Sequence, residues 1–343
     1  MLDYKKTGTF LASKRKQAQM TQADVAQKLG VSFQAVSKWE NGTLPFPEIP
    51  HPVLVLKSEE PGSKQKLAME YGYSESICHD MINHLVNDIM VMGARPLAVL
   101  DTIVCGSAEK ETIKSFIKGI SDACRENGCS LVGGETSIQP QVVEKGVYVL
   151  TSSIAGILSK DKVIDGSGIT EGDTVLAVAS NGLHTNGYSL VRMLMDQMPQ
   201  IKLEKIDGET FIEQIMKPHT TYRNAIRNLL ECPGIHGMAH ITGGGIQGNL
   251  CRILPDNLYA DIDLSKIKTL PIFRYIQRIG NIDEAEMLST FNCGVGLIVV
   301  VSERYAEQAI RNIAKYHDCY EIGRIRKGNG KVLFRNSVNW ESS

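Results

Sequence analysis

Residues 172–192, GDTVLAVASNGLHTNGYSLVR, read as strand, loop and helix in succession. DTVLAVAS is a short apolar run rich in β-branched residues, as in a strand buried on both faces. SLVRMLMDQM (189–198) places its apolar residues at helical spacing. Between them lies a polar, glycine-flanked loop with His184 and Asn186 at its centre. A buried strand feeding a chemistry-bearing loop and then a helix is one unit of an α/β layer.

The alternation continues in both directions. VLVL (53–56), RPLAVLDTIVC (95–105), SLVGG (130–134) and VYVLTSSIAGIL (147–158) read as strands. ESICHDMINHLVNDIMVMG (75–93) and KETIKSFIKGISDACRENG (110–128) read as amphipathic helices with glycine stops. Downstream come the helices RNAIRNLLE (223–231) and SERYAEQAIRNIAKYH (302–317), with the strand GVGLIVVV (294–301) between them. YEIGRIRKGNGKVLF (320–334) is expected to close as a hairpin turning at Asn329 and Gly330. The fold class is therefore α/β, in α+β layers. A change of texture near Ile164–Gly172 predicts two subdomains, 51–165 and 166–343.

Whole-chain properties narrow the function. With 343 residues there is room for two domains, and a net charge of −1 confines any nucleic-acid contact to a local patch. The N-terminus lacks the apolar core of a secretory signal, and no stretch has the length of a membrane helix. Eight cysteines without a CxxC pair read as free, buried thiols. A soluble cytoplasmic protein without membrane partners is expected.

The first fifty residues differ in character. FLASKRKQA, QADVAQKL and FQAVSKWEN form three short helical patterns, the second capped by Thr21 and the third by Ser32. Val25, Ala26 and Leu29, then Val36 and Trp39, are spaced to face inward; Gly30 and Gly42 are expected stops. MTQADVAQKLGVSFQAVSKWENG (20–42) resembles the helix-turn-helix of the repressor-like regulators. The resemblance implies that the third helix enters the major groove of DNA, with Gln34, Ala35, Ser37 and Lys38 outward and Gln22 near a phosphate. Phe33 stands where that family often has a polar or basic residue. The prolines of LPFPEIPHP (44–52) disfavour a further helix and place a boundary near residue 50.

In the large region, glycine-flanked polar clusters interrupt the scaffold: LVNDIMVMGARP (85–96), SLVGGETSIQP (130–140), SNGLHTNGYSLVR (180–192) and HITGGGIQGN (240–249). TFNCGVG (290–296) precedes a buried strand. Glycines let backbone N–H groups approach an anion, and Asp88 and Glu135 are carboxylates of the kind that hold Mg²⁺ against phosphates. Together and in this order the clusters closely resemble aminoimidazole ribonucleotide synthetase, the phosphoribosylformylglycinamidine cyclo-ligase family, from about Val53 to Phe334.

The resemblance implies a two-subdomain synthetase-like fold, a homodimer joined through a strand barrel, and ATP and Mg²⁺ as cofactors. It implies transfer of a phosphoryl group to the amide oxygen of a small-molecule amide or ribonucleotide, then ring closure by a nitrogen. Ser63, Lys64, Asn87, Asp88, Gly133, Gly134 and Glu135 would serve ATP and its phosphates, with Glu59, Asp88 and Glu135 on the metal. His184 and Asn186 would act in catalysis, and Thr242, Gly243, Gly244 and Gly245 would border the substrate.

The chain departs from the family upstream. The family's SGTDGVGTK aligns with LKSEEPGSK (56–64), where Glu59 stands for the Asp and Glu60 for a Gly, and Pro61 removes an N–H. The MPG that follows GGETAE in the family is absent. Three readings follow: an ATP-dependent ligase with an altered substrate, a DNA-binding regulator whose large domain senses a nucleotide or purine intermediate, or the housekeeping cyclo-ligase itself.

Overall fold

The computed structural model describes residues 4–29, 32–42 and 49–341. The described residues fall into two compact units, one running up to Val53 together with Leu158–Asp161, the other holding the rest.

In the first unit α1 (Tyr4–Gln17), α2 (Gln22–Leu29) and α3 (Phe33–Glu40) enclose a small core at Ala26 and Val36. Ser32 caps α3 by accepting the Ala35 N–H, and the Thr21 hydroxyl accepts the Asp24 N–H at the start of α2. Gly8 permits close packing of α1 on the end of α3, since a Cβ there would stand 2.6 Å from the Trp39 carbonyl oxygen. Arg15 grips Glu40 with two donors, Nε at 2.5 Å and Nη2 at 2.9 Å, and Gln22 donates to the same carboxylate at 2.8 Å. One bidentate pair thereby ties all three helices. The expected stop at Gly30 and residues 43–48 of the proline segment lie outside the described residues.

The second unit contains two larger sheets. β1 (Pro52–Glu59), β2 (Arg95–Cys105), β3 (Ser130–Ile138) and β4 (Tyr148–Ser159) form one, in the order β1-β4-β2-β3. α4 (Lys64–Glu70) and α5 (Ser76–Met90) follow β1, and α6 (Lys110–Glu126) is the crossover joining the parallel pair β2 and β3. Val99, Ile103, Leu150 and Ile154 are buried, whereas Leu54, Leu56, Leu100 and Val132 are more than half exposed.

The other sheet is built from β5 (Thr174–Ala179), then, beyond the two-residue pair β6 (Lys205–Ile206) and β7 (Glu209–Thr210), β8 (Ile235–His240), β9 (Leu258–Asp263), β10 (Val295–Val301), β11 (Cys319–Lys327) and β12 (Val332–Arg335). Its order is β12-β9-β11-β5-β10-β8. The expected closing hairpin is therefore corrected: β9 lies between β11 and β12, antiparallel to one and parallel to the other. β9 alternates buried Leu258, Ala260 and Ile262 with Tyr259, Asp261 and Asp263, a period-two pattern that competes for both neighbours.

Register in this sheet converges three loops. Ala179 at the end of β5 faces Val295 at the start of β10, and His240 at the end of β8 faces Leu297. The segments after Ala179, after His240 and before Val295 therefore emerge at one edge of the sheet. Those segments are SNGLHTNG, ITGGG and FNCG.

Candidate functional site

At that edge a cleft of about 520 Å³ is lined by Lys57, Glu59, Asp88, Asn186, His240 and Thr242, among others. Its upstream wall comes from β1 and α5, its downstream wall from the converging loops. A larger groove of about 970 Å³, lined by Lys205, Arg274, Arg278 and Trp340, lies elsewhere and contains none of the expected site residues.

Asp88 is the hub. Its Oδ1 lies 2.7 Å from His240 Nδ1, and its Oδ2 lies 3.5 Å from His84 Nε2 one turn back along α5. Burial pushes the Asp88 carboxyl up, but hydrogen bonds from His240 and His84 outweigh it and hold the group well below the usual carboxylate range. Burial lowers the His240 pKa against the pull of Asp88, so we assign an ionised Asp88 accepting from a neutral His240. Lys57 places Nζ 3.0 Å from Glu59 and 3.2 Å from Asp88. Burial opposes its charge, but the two carboxylates prevail and raise its pKa. The carboxylates thus already hold one positive charge between them, so their donor chemistry fits a hard divalent cation if the Lys57 ammonium swings away.

Several expected site residues do not line the cleft. Lys64 is fully buried; its Nζ donates to Asp80 Oδ1 at 2.8 Å and to the Lys217 carbonyl at 2.6 Å. Desolvation lowers the Lys64 pKa and raises that of Asp80 to about 6, while their mutual attraction opposes both shifts. Asn87 is likewise buried, its amide donating to the Thr220 carbonyl and its Oδ1 accepting the Tyr222 N–H. It braces α5 against the loop 217–222.

Glu135 lies on β3, the opposite edge of the four-stranded sheet from Glu59 on β1. Three strand spacings, roughly 14 Å, separate those strands, so Glu59, Asp88 and Glu135 are not one ligand set within the chain. Gly134 pairs with Asp101, where a Cβ would stand 2.0 Å from the carboxylate oxygen; its glycine is a packing requirement. Gly133 is exposed on the same edge strand. Ser63 occupies the start of α4 without capping it, beside Gly62, whose added Cβ would stand 3.7 Å from the Thr185 carbonyl.

The downstream wall keeps more of its expected members. Asn186, Thr242 and Gly243 line the cleft. Gly244 is exposed, and Gly245 is buried where a Cβ would meet the Leu288 carbonyl at 1.8 Å. His184 does not line the cleft. It lies behind the wall, 1% exposed, stacked on His219 at 3.9 Å between ring centroids, with Nε2 3.2 Å from the Thr220 hydroxyl.

Sequence reading passed over Lys57, His84, His219 and the imidazole of His240. One signal was legible: His84 and Asp88 are four residues apart on a helix and so share a face. His219 had none, because it reaches the site only through the packing of its loop on α5.

In the first unit Gln34 and Lys38 are exposed on α3, and Ala35 and Ser37 are half-buried. Ser37 Oγ accepts from Asn41 Nδ2 at 3.4 Å. Gln22 is held by Glu40 rather than standing free.

Comparison with known proteins agrees with this architecture. Residues 54–158 match the N-terminal domain of the AIR synthase related proteins, and residues 170–336 match their C-terminal domain. Residues 11–47 match a helix-turn-helix family. The phosphoribosylformylglycinamidine cyclo-ligase of Chromobacterium violaceum is 41% identical over 281 residues, covering 81% of each chain. That of Methylobacillus flagellatus is 42% identical over 307 residues, covering 88% of this chain and 85% of its own. The hydrogenase maturation protein HypE, solved in complex with ATP, shares the fold with a TM-score of 0.61 at 18% identity, covering 82% of this chain and 81% of its own. The large unit therefore defines an ATP-dependent ligase-like enzyme of the AIR synthase related class. Within that class the chain belongs to the phosphoribosylformylglycinamidine cyclo-ligase family.

Proposed function

We propose that the chain is an ATP-dependent ligase that activates an amide oxygen by phosphorylation and lets a neighbouring nitrogen close a ring, on a substrate altered from that of the family. The observation that carries this reading is the cleft itself, where Glu59, Asp88, Asn186 and Thr242 arrive from four separate segments around one space. ATP would supply the phosphoryl group, and Mg²⁺, held by Asp88 and Glu59, would neutralise its charge. Asn186 and Thr242 would offer hydrogen bonds that orient the amide, and the enclosing walls would hold the nitrogen near the activated carbon. The divisions 51–165 and 166–343 would then be an ATP-binding and a substrate-binding half. The altered loop at Glu60 and Pro61 is the reason for proposing a changed substrate.

The test is phosphate release from ATP with formylglycinamidine ribonucleotide and with related amides, for the intact protein and for Asp88→Asn. Stimulation by one amide, reduced about 10²–10³-fold in the variant, supports the reading. A folded protein that no amide stimulates would overturn it.

The apolar face of the four-stranded sheet, with Leu54, Leu56, Leu100 and Val132 outward, supports a homodimer through that face. Light scattering should give a dimer for the native chain and a monomer for Leu56→Glu. A monomeric native chain sinks this assignment.

A regulatory reading is favoured by one separate feature, the ordered three-helix module with Gln34 and Lys38 exposed. It would bind DNA through α3 while the large domain senses a nucleotide. Absence of DNA binding at low salt, where phosphate attraction is strongest, removes it.

A further inference from the structure

We propose that His184, His219 and His240 form a site for one borderline divalent cation of the zinc class, distinct from any magnesium held by Glu59 and Asp88. One ring nitrogen from each of the three lies within 4.8 Å of the others. Zinc–nitrogen bonds of 2.0–2.1 Å in a tetrahedron need nitrogens roughly 3.4 Å apart, so the three rings must close on the ion, with His184 and His219 turning out of their stacked arrangement. The rings are 1%, 1% and 5% exposed.

Proton accounting carries the argument further. His240 Nδ1 faces the ionised Asp88 carboxylate at 2.7 Å and therefore carries the proton, leaving Nε2 as a lone pair. His219 Nε2 lies 2.8 Å from that lone pair. In a metal-free chain His219 must donate there, and its Nδ1 becomes a buried acceptor with no partner. His184 Nδ1 is buried and unpartnered as well. Buried polar atoms are rarely left unmet, because each forfeits its hydration without a replacement bond. A cation in the cluster would take up one lone pair from each ring in place of the His219–His240 hydrogen bond.

Two further features suit a metal site. Asp88 on His240 Nδ1 is the carboxylate–histidine arrangement that fixes a ligand's tautomer and raises its basicity. His184 has a positive φ of 60°, a conformation non-glycine residues seldom take, so its ring direction is imposed by the surroundings. An all-imidazole donor set selects zinc, cobalt or nickel over magnesium or calcium, which prefer oxygen. Three protein ligands leave a fourth position for water or a substrate atom.

The assignment does not depend on the ligase reading, and its test uses no ATP. Untagged full-length protein, stripped with a chelator and dialysed, is titrated with Zn²⁺ against a chromophoric competitor. One equivalent per chain is expected. His184→Ala and His219→Ala should each weaken binding by more than about 100-fold, and Asp88→Asn by about 10–100-fold. His79→Ala, outside the cluster, should leave it unchanged. Bound Co²⁺ should give the strong visible absorption of tetrahedral coordination in the native chain and lose it in His219→Ala. If circular dichroism shows that His219→Ala does not fold, His219→Gln takes its place. Less than about a tenth of an equivalent bound by the folded native chain, or unchanged affinity in both histidine variants, overturns the site.

Discussion

The two walls of the cleft are built in different ways. The downstream wall is a consequence of register: β5, β10 and β8 are neighbours in one sheet, so their adjoining loops must emerge together. The upstream wall depends on individual side chains carried by β1 and α5. Lys57 points into the cleft, whereas Lys64, seven residues later, turns into the core. A register tolerates loop substitutions because backbone pairing maintains it; a wall made of single charges changes character with each replacement. The chain departs from its family in the second wall, where LKSEEPGSK replaces SGTDGVGTK and sets Lys57 opposite the first glycine.

Lys64 gives the sharpest way to break this contrast. Lys64→Ala strands Asp80 in the core, and unfolding measurements should show a loss of about 3–5 kcal/mol. Replacing both partners with apolar residues, as in Lys64→Met with Asp80→Leu, should recover most of it. A Lys64→Ala chain of native stability with weakened nucleotide binding would instead make Lys64 a phosphate ligand.

Acid tests the buried layer behind the downstream wall. His184, His219 and His240 have folded pKa values below 6.5, so the unfolded chain binds more protons than the native one as pH falls through that value. Stability is therefore present above pH 6.5 and lost on acidification, by at most about 1.4 kcal/mol per pH unit for each ring. Asp80, raised to about 6, works in the opposite direction between its unfolded value near 4 and 6, one group against three. Chelator-treated protein should show a falling thermal midpoint between pH 7 and 5, and His219→Asn should flatten the slope. A midpoint that rises on acidification contradicts the neutral assignment.

The smallest effect is expected at Lys57. Its pairs with Glu59 and Asp88 are half-exposed, so Lys57→Ala should change stability by no more than about 1 kcal/mol. The freed carboxylates should bind Mg²⁺ more tightly. Half-saturation in the ATP assay is expected at about two- to fivefold lower Mg²⁺, matching the worth of such pairs. Unchanged Mg²⁺ dependence would show that Lys57 does not compete for that position.

Much of the fold was legible in local pattern. Caps at Thr21 and Ser32, the apolar stripe of α5 and the buried runs of β5 and β10 declare themselves within ten or fifteen residues. β9 was legible in principle from its alternation but was passed over, and the hairpin expectation followed from that omission. Of the site residues expected from the sequence, Glu59, Asp88, Asn186, Thr242 and Gly243 line the cleft. Glu135 looked equivalent to Asp88 as a carboxylate beside glycine, yet sheet order puts it on another edge.

Sequence by itself determined the two-part organisation, the α/β class and the glycine-flanked loops that border the cleft. Periodicity, capping and turn residues act over a few neighbours and can be read in one dimension. Tertiary structure alone decided that Lys57 lies between Glu59 and Asp88, that Lys64 is buried, and that His184 and His219 pack behind His240 of the cleft wall. Those outcomes depend on segments brought together across as many as 153 positions, as the Lys64–Lys217 hydrogen bond spans. Desolvation and pairing of charge exist only once such segments are packed, so no local pattern can carry them.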